Sequence, residues 1–214
     1  MTFAHAAESV QPPTPQSFTT TTPLSSDECA AMRAAVADPS APCLAEQTIT
    51  LPVFRADDGT FSSPSLRPSA TVPNCAPTSA SCGSANDYYE GPSPQTCGSN
   101  YYTYSPASIN NSDVLGGKLW HARTYWYYRW TSCQSISFDN TDCSDEGGNL
   151  VYTVTIKNCG GVAIFNQGGA SPYGYAESPD NFDVTYGFHG FGGNVAHYNR
   201  LSVDNLGDSE FLRG

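Results

Sequence analysis

The chain has 214 residues, with 9 Lys and Arg against 20 Asp and Glu and a formal net charge of −11. Binding to phosphates needs clustered Lys and Arg, so this balance excludes nucleic acid and anionic membrane surfaces as expected partners. No run of about 18 apolar residues occurs, so no helical membrane span is expected.

Leu, Ile, Val and Phe number 36, about 17% of the chain. With this net charge, such a share borders on that of disordered proteins. The average hides a break in composition. Residues 1–94 hold 13 of the 16 prolines and no Lys or Trp, whereas residues 88–214 hold every Tyr and Trp. The expected division is a Pro/Ser/Thr-rich arm over 1–94, with one short helix and one edge-type strand, and a compact aromatic-rich β domain over 95–214.

Residues 1–23, rich in Pro, Thr and Gln, read as an extended or mobile arm. The first ten residues lack the basic region and apolar run of a secretory leader. The expectation is therefore that a leader has been removed, that this sequence begins inside its gene, or that export uses another route, virion assembly among them. Ser25-Ser-Asp-Glu28 is a capping box, and the following AAMRAAVA favours a helix that Asp38-Pro39 ends. Cys29, Met32 and Val36 share its apolar face. In Glu46–Phe54, Ile49, Leu51 and Val53 alternate with polar positions, which predicts a half-buried strand. Pro52 lacks a ladder donor and assigns that strand to a sheet edge. Residues 55–94 show little periodicity and read as ordered loop or linker.

All three tryptophans fall within KLWHARTYWYYRWTSC (118–133). At period two, Trp120, Ala122, Thr124, Trp126, Tyr128 and Trp130 share one face. Leu119, His121, Arg123, Tyr125, Tyr127 and Arg129 share the other. As a helix, Arg123 and Arg129 would interrupt both stripes, and aromatic enrichment favours strand. The Trp face is expected in the core, each ring burying about 150–250 Å². The Tyr/Arg face has the composition enriched at protein interfaces.

Asp139, Asp142 and Asp145 gather on a stretch read as a loop, where calcium would want six to eight oxygens. The pattern lacks EF-hand order, so this is a weak calcium candidate and no metal is expected. Leu150, Tyr152, Val154 and Ile156 alternate with polar residues, Gly160-Gly161 marks a turn, and 162–165 reads as a second strand. Phe182, Val184, Tyr186 and Phe188 form another alternating row, with a weaker strand at Leu201–Val203. The expected fold is mainly β: a disulfide-stabilised antiparallel sandwich or barrel, with one short N-terminal helix and an extended N-terminal arm.

Cysteines stand at 29, 43, 75, 82, 97, 133, 143 and 159. An even count without a CxxC pair points to disulfides and an oxidising location, extracellular or on a cell or virion surface. Pairing near neighbours gives Cys29–Cys43, Cys75–Cys82 and Cys133–Cys143, leaving Cys97–Cys159. Asn110-Asn111-Ser112 is a glycosylation sequon in a stretch read as polar loop, with Asn110 the acceptor. His121, His189 and His197 lack metal-binding spacing. No catalytic motif occurs, and no cofactor is expected.

The expected function is therefore contact without catalysis: a structural subunit of an extracellular filament, surface coat or virion that associates with itself. Ile49, Leu51 and Val53 would add as a strand to a neighbour's sheet edge, and Arg123, Tyr125, Tyr127 and Arg129 would form a second contact. The alternative is a carbohydrate-binding module that stacks sugars on Tyr101, Tyr102, Tyr104 or the Trp stretch. Less favoured is a small glycoside hydrolase, which needs only two suitably spaced carboxylates.

Overall fold

The computed structural model describes residues 11–66, 86–91, 97–114, 119–147, 152–161, 163–165, 175–186 and 193–213. Two antiparallel sheets form a sandwich. The first contains β1 (Ser17–Pro23), β2 (Leu44–Thr50), β3 (Val53–Ala56), β4 (Phe61–Ser62), β7 (Asn100–Ser105), β8 (Ala107–Asp113), β9 (Trp120–Thr131) and β10 (Ser135–Gly147). The second contains β5 (Ser65–Leu66), β6 (Asn86–Glu90), β11 (Tyr152–Cys159), β12 (Ala163–Phe165), β13 (Tyr175–Tyr186), β14 (Asn194–Asp204) and β15 (Ser209–Arg213). Strand order is β1-β2-β8-β9-β7-β3-β4 in the first, with β10 on the other side of β9. It is β11-β13-β14-β15-β6-β5 in the second, with β12 also on β13.

Strand β9 organises the first sheet. Along one side it pairs with β10 from Trp120 to Thr131. The other side is shared, β8 taking His121–Trp126 and β7 taking Arg129–Thr131. Period-two alternation sends Trp120, Trp126, Tyr128 and Trp130 into the core and leaves Arg129 exposed. Around Trp130 the rings are close: Tyr101 stacks at 4.6 Å and Phe54 meets it edge-on at 4.3 Å. Aromatic rings thus fill much of an interior they share with Ile49, Leu51, Ile109, Leu201 and Val203.

The one helix among the described residues, α1 (Ser26–Val36), has the expected capping box: Ser25 Oγ accepts from Glu28 N at 3.3 Å and Ser25 N donates to Glu28 Oε2 at 3.0 Å. Ala37 ends it in the left-handed region, and Met32 docks it onto Trp120, Phe182 and their neighbours.

Several expectations are corrected. Residues 17–23 are a strand in register with β2, with hydroxyl pairs Ser17–Thr50 and Thr19–Thr48 each at 2.9 Å. The Glu46–Phe54 strand breaks at Leu51-Pro52, because Pro52 has no N–H for the ladder. Its first half lies between β1 and β8, not at an edge. Ile49, Leu51 and Val53 are buried in the chain's own interior, so this row has no apolar surface left for a neighbour. The composition change near residue 94 falls inside both sheets, since β2 pairs with β8 and β6 with β15. It marks a difference in strand chemistry, not a boundary between an arm and a separate domain.

Three disulfides join described residues: Cys29–Cys43, Cys97–Cys133 and Cys143–Cys159. The first is as expected; the other two replace the expected Cys133–Cys143 and Cys97–Cys159 pairs. Cys133 sits in the β9–β10 hairpin loop and Cys143 lies eight residues beyond Ser135 in β10. At about 3.3 Å per strand residue that is roughly 26 Å, far beyond disulfide reach. Cys143–Cys159 instead ties the two sheets together along one side. Cys75 and Cys82 lie outside the described residues. Each bridge contributes about 3–4 kcal/mol in the chain-entropy model and fits folding in an oxidising compartment.

The interior is not uniformly apolar. One cluster holds Trp126, Tyr128, Trp130, Ile49, Leu201 and Phe211; the other holds Trp120, Tyr152, Phe182, Val184 and Met32. Between them runs a polar layer of inward residues, one each from β2, β8, β14, β9 and β13. Gln47 Nε2 donates to Asn111 Oδ1 at 2.7 Å, and Asn111 Nδ2 to Asn199 Oδ1 at 3.1 Å. Asn199 Nδ2 then donates to Thr124 Oγ1 at 3.2 Å, and Thr124 Oγ1 to Asp180 Oδ2 at 2.5 Å.

Candidate functional site on the outer face of the first sheet

The outer side of β9 presents Arg123, Tyr125, Tyr127 and Arg129. Register extends the face in both directions. Tyr102 of β7 stands opposite Arg129, and Arg55 of β3 opposite Tyr102. On the other flank, Asp142 of β10 stands opposite Tyr125 and Asn140 opposite Tyr127. Among the described residues the large hydrophobic side chains left exposed are Tyr104 (56%), Tyr102 (42%) and Tyr127 (36%), and all three belong to this face.

The polar groups are arranged by local contacts. Arg129 Nε lies 3.2 Å from Asp139 Oδ1, where a bulge between Phe138 and Asn140 displaces β10. Both partners are well exposed, so this ion pair adds about 0–1 kcal/mol and chiefly orients the guanidinium. Arg123 Nε donates to Asn110 Oδ1 at 3.3 Å. Arg55 lies over the Phe61 ring at 5.9 Å, and Phe61 meets Tyr104 edge-on at 5.0 Å. A shallow groove beside Tyr102 and Arg129 is lined by Asn100, Thr131, Ser135 and Ser137. Its floor is stiffened by Thr131 Oγ1 donating to Asn100 Oδ1 at 2.7 Å and Asn100 Nδ2 donating to Asp57 Oδ2 at 2.6 Å.

Arg123, Tyr125, Tyr127 and Arg129 are thus brought together, while Ile49, Leu51 and Val53 lie on the opposite, inner side. Tyr101 and the three tryptophans are buried and offer no stacking surface; Tyr102 and Tyr104 do. Asp139, Asp142 and Asp145 lie on β10, not in a loop. Asp142 shares the outer side with Tyr125, whereas Asp145 stands opposite inward-facing Ala122, so the three carboxylates do not converge. Among the described residues no three His, Cys, Asp or Glu side chains form a metal-binding group. His121 shares the side of β9 that carries Arg123, while His197 lies inside against Trp120 and Phe182. His189 lies outside the described residues. Asn110 is not in a loop: it sits mid-strand between Thr48 and Arg123. Arg55 and Phe61 were not anticipated, because β3 and β4, of four and two residues, are too short for a period to be read.

Two buried ionisable groups lie elsewhere. Burial lowers the pKa of His197, with Glu28 and Asp183 pulling it back up, and its Nε2 has no partner among the described residues. Burial raises the pKa of Asp180, opposed by hydrogen bonds from Thr124 and Asn199.

No helix among the described residues is long and apolar enough to cross a membrane. The fold and the exposed face define the class as a disulfide-linked β-sandwich with a patterned sheet surface. No known protein family, curated protein or solved structure matches the chain.

Proposed function

We propose that this protein is a non-enzymatic structural subunit of an extracellular coat or filament, and that the outer face of its first sheet seats against a second copy. One observation carries this reading: the exposed tyrosines Tyr102, Tyr104 and Tyr127 share a single face with Arg55, Arg123 and Arg129. Tyr and Arg are the residues most enriched at interface hot spots. Three of the chain's nine basic residues stand here, in a molecule of net charge −11. An acidic second copy is therefore complementary to this face and repelled elsewhere. The carboxylates beside the groove, Asp57 and Asp139, are each held by a partner, which suits contact more than proton transfer.

The test is sedimentation of the wild type and of a Tyr127→Ser/Arg129→Glu variant over a range of concentration and salt. The wild type is expected to self-associate and to weaken as salt rises; the variant is expected to stay monomeric with an unchanged melting temperature. Assembly unaffected by both substitutions refutes the reading. A second reading, a carbohydrate-binding module, is favoured by the hydroxyl- and amide-lined groove beside the Tyr102 ring. A monomeric wild type that binds a glycan array, and loses binding in Tyr102→Ser, selects that reading instead.

A further inference from the structure

We propose that Asp180 keeps its proton in the folded sandwich: its buried carboxyl, which accepts from Thr124 and so joins β13 to β9 at the centre of the polar layer, has no counter-charge among the described residues, and its ionisation destabilises the seam between the sheets. This goes beyond the contact reading and does not depend on it. Asp180 is 1% exposed and Thr124 fully buried, so the bond between them crosses the sandwich out of reach of water. Asp180 Oδ1 has no partner among the described residues, and the donors that reach the carboxyl, Thr124 and Asn199, are both uncharged. A buried carboxylate normally survives only with a counter-charge or several donors.

Among the described residues the surroundings supply no cation. On β9 the inward neighbours of Thr124 are Ala122 and Trp126. On β8 they are Ile109 and Asp113 beside Asn111, and Asp113 Oδ2 already accepts from Leu119 N and Trp120 N. On β10, Cys143 stands opposite Thr124 and is bonded to Cys159 of β11, which in turn stands opposite Asp180. Thr141 of β10 bonds Ser178 of β13 at 2.8 Å. On β14, Asn199 lies between His197 and Leu201, and His197 is itself held towards its neutral form by burial. The ion pairs of Arg129, Lys157 and Arg200 involve Asp139, Asp183 and Glu177.

Burial thus favours the uncharged acid and raises the pKa of this carboxyl, against the opposing hydrogen bonds from Thr124 and Asn199. The native chain keeps a proton that the unfolded chain releases near pH 3.9. Stability from this group is therefore complete below about that pH and is lost as pH rises through the native value. Thr124 lies between Arg123 and Tyr125, so strain at the seam would be felt at β9, which carries the outer face.

The full chain is labelled with ¹³C and its carboxyl resonances titrated, alongside melting curves of wild type and Asp180→Asn from about pH 3.5 to about pH 8. Asp180 is expected to titrate above the unfolded value of about 3.9. The wild-type melting temperature is expected to match that of Asp180→Asn in acid and to fall below it as pH rises. Titration of Asp180 within the ordinary range, or parallel melting profiles, overturns the proposal. The titration is read on the wild type and decides the matter even if the variant does not fold.

Discussion

Gly207 lies in the turn from β14 to β15 with φ +81°, and a Cβ there would stand 2.6 Å from Cζ2 and 2.8 Å from Cε2 of Trp130. That ring cannot move aside, because Tyr101 stacks on it and Phe54 abuts it. Nor can the turn shift freely: Gly207 N donates to Asp204 O at 3.0 Å, and Asp204 Oδ1 accepts from Leu206 N and Asp208 N. Gly207→Ala therefore incurs two penalties. The left-handed backbone costs an L-residue about 1–2 kcal/mol, and overpacking against a fixed ring costs about 1–3 kcal/mol. The expected loss is about 2–5 kcal/mol, a large part of the ~5–15 kcal/mol that stabilises a typical domain. Gly161→Ala is the matched control, since its φ is +95° but nothing lies within 4 Å of the added Cβ. That variant is expected to show the backbone penalty alone. Urea unfolding followed by tryptophan fluorescence measures both, with stability taken from midpoint and slope. Equal losses in the two variants would refute the packing of Trp130 against the turn. Because Arg129 and Thr131 flank Trp130 on β9, the same variant should also disturb the groove beside Tyr102.

Trp126→Ala is expected to cost about 3–5 kcal/mol in the same assay, because it opens a fully buried site and orphans the Ser178 carbonyl that Trp126 Nε1 reaches at 3.1 Å. Digestion without reduction, followed by mass spectrometry, should yield peptides joining Cys97 to Cys133 and Cys143 to Cys159; a Cys133–Cys143 peptide would show that the hairpin register is wrong. The low pKa of His197 has the opposite linkage sign to Asp180: its contribution is complete above the unfolded value of about 6.5 and is lost as pH falls through the lower native value. His197→Gln should therefore flatten the acid side of the stability profile above about pH 4, and an unchanged profile there would place His197 in solvent. Ser25→Ala should cost about 1 kcal/mol through loss of the cap, seen as a small drop in melting temperature with the sheet signal intact.

What was legible in the sequence was whatever depended on local periodicity. The inward tryptophans and outward Arg129 follow from alternation along a single strand, and the helix start follows from two side chains three residues apart. The acidic β10 and the threonine-rich β1 were misread for the opposite reason. Their strand character comes from partners far along the chain, Tyr125 opposite Asp142 and Thr48 opposite Thr19, and their own residues have polar, loop-like chemistry. Pro52 was read correctly as an interruption of the ladder but located wrongly, since a proline can mark a break between two strands as well as an edge.

The polar layer was hidden for a different physical reason. Thr124 falls on the Trp side of β9, and a single Thr among aromatics looks like tolerated β-branching. Gln47, Asn111, Asp180 and Asn199 look equally unremarkable, each being one polar residue among several in its own strand. Only assembly of five strands aligns them into a cross-section, and only then does Asp180 stand out as a buried carboxyl with no cation beside it among the described residues. Strand β9 thereby joins both unexplained features of the protein. Its inner side holds the seam at Thr124, and its outer side carries Arg123 and Tyr125 one residue to either side. A change of protonation that displaces the strand by a fraction of the general interstrand spacing of about 4.8 Å would act on the outer face directly, without passing through any loop.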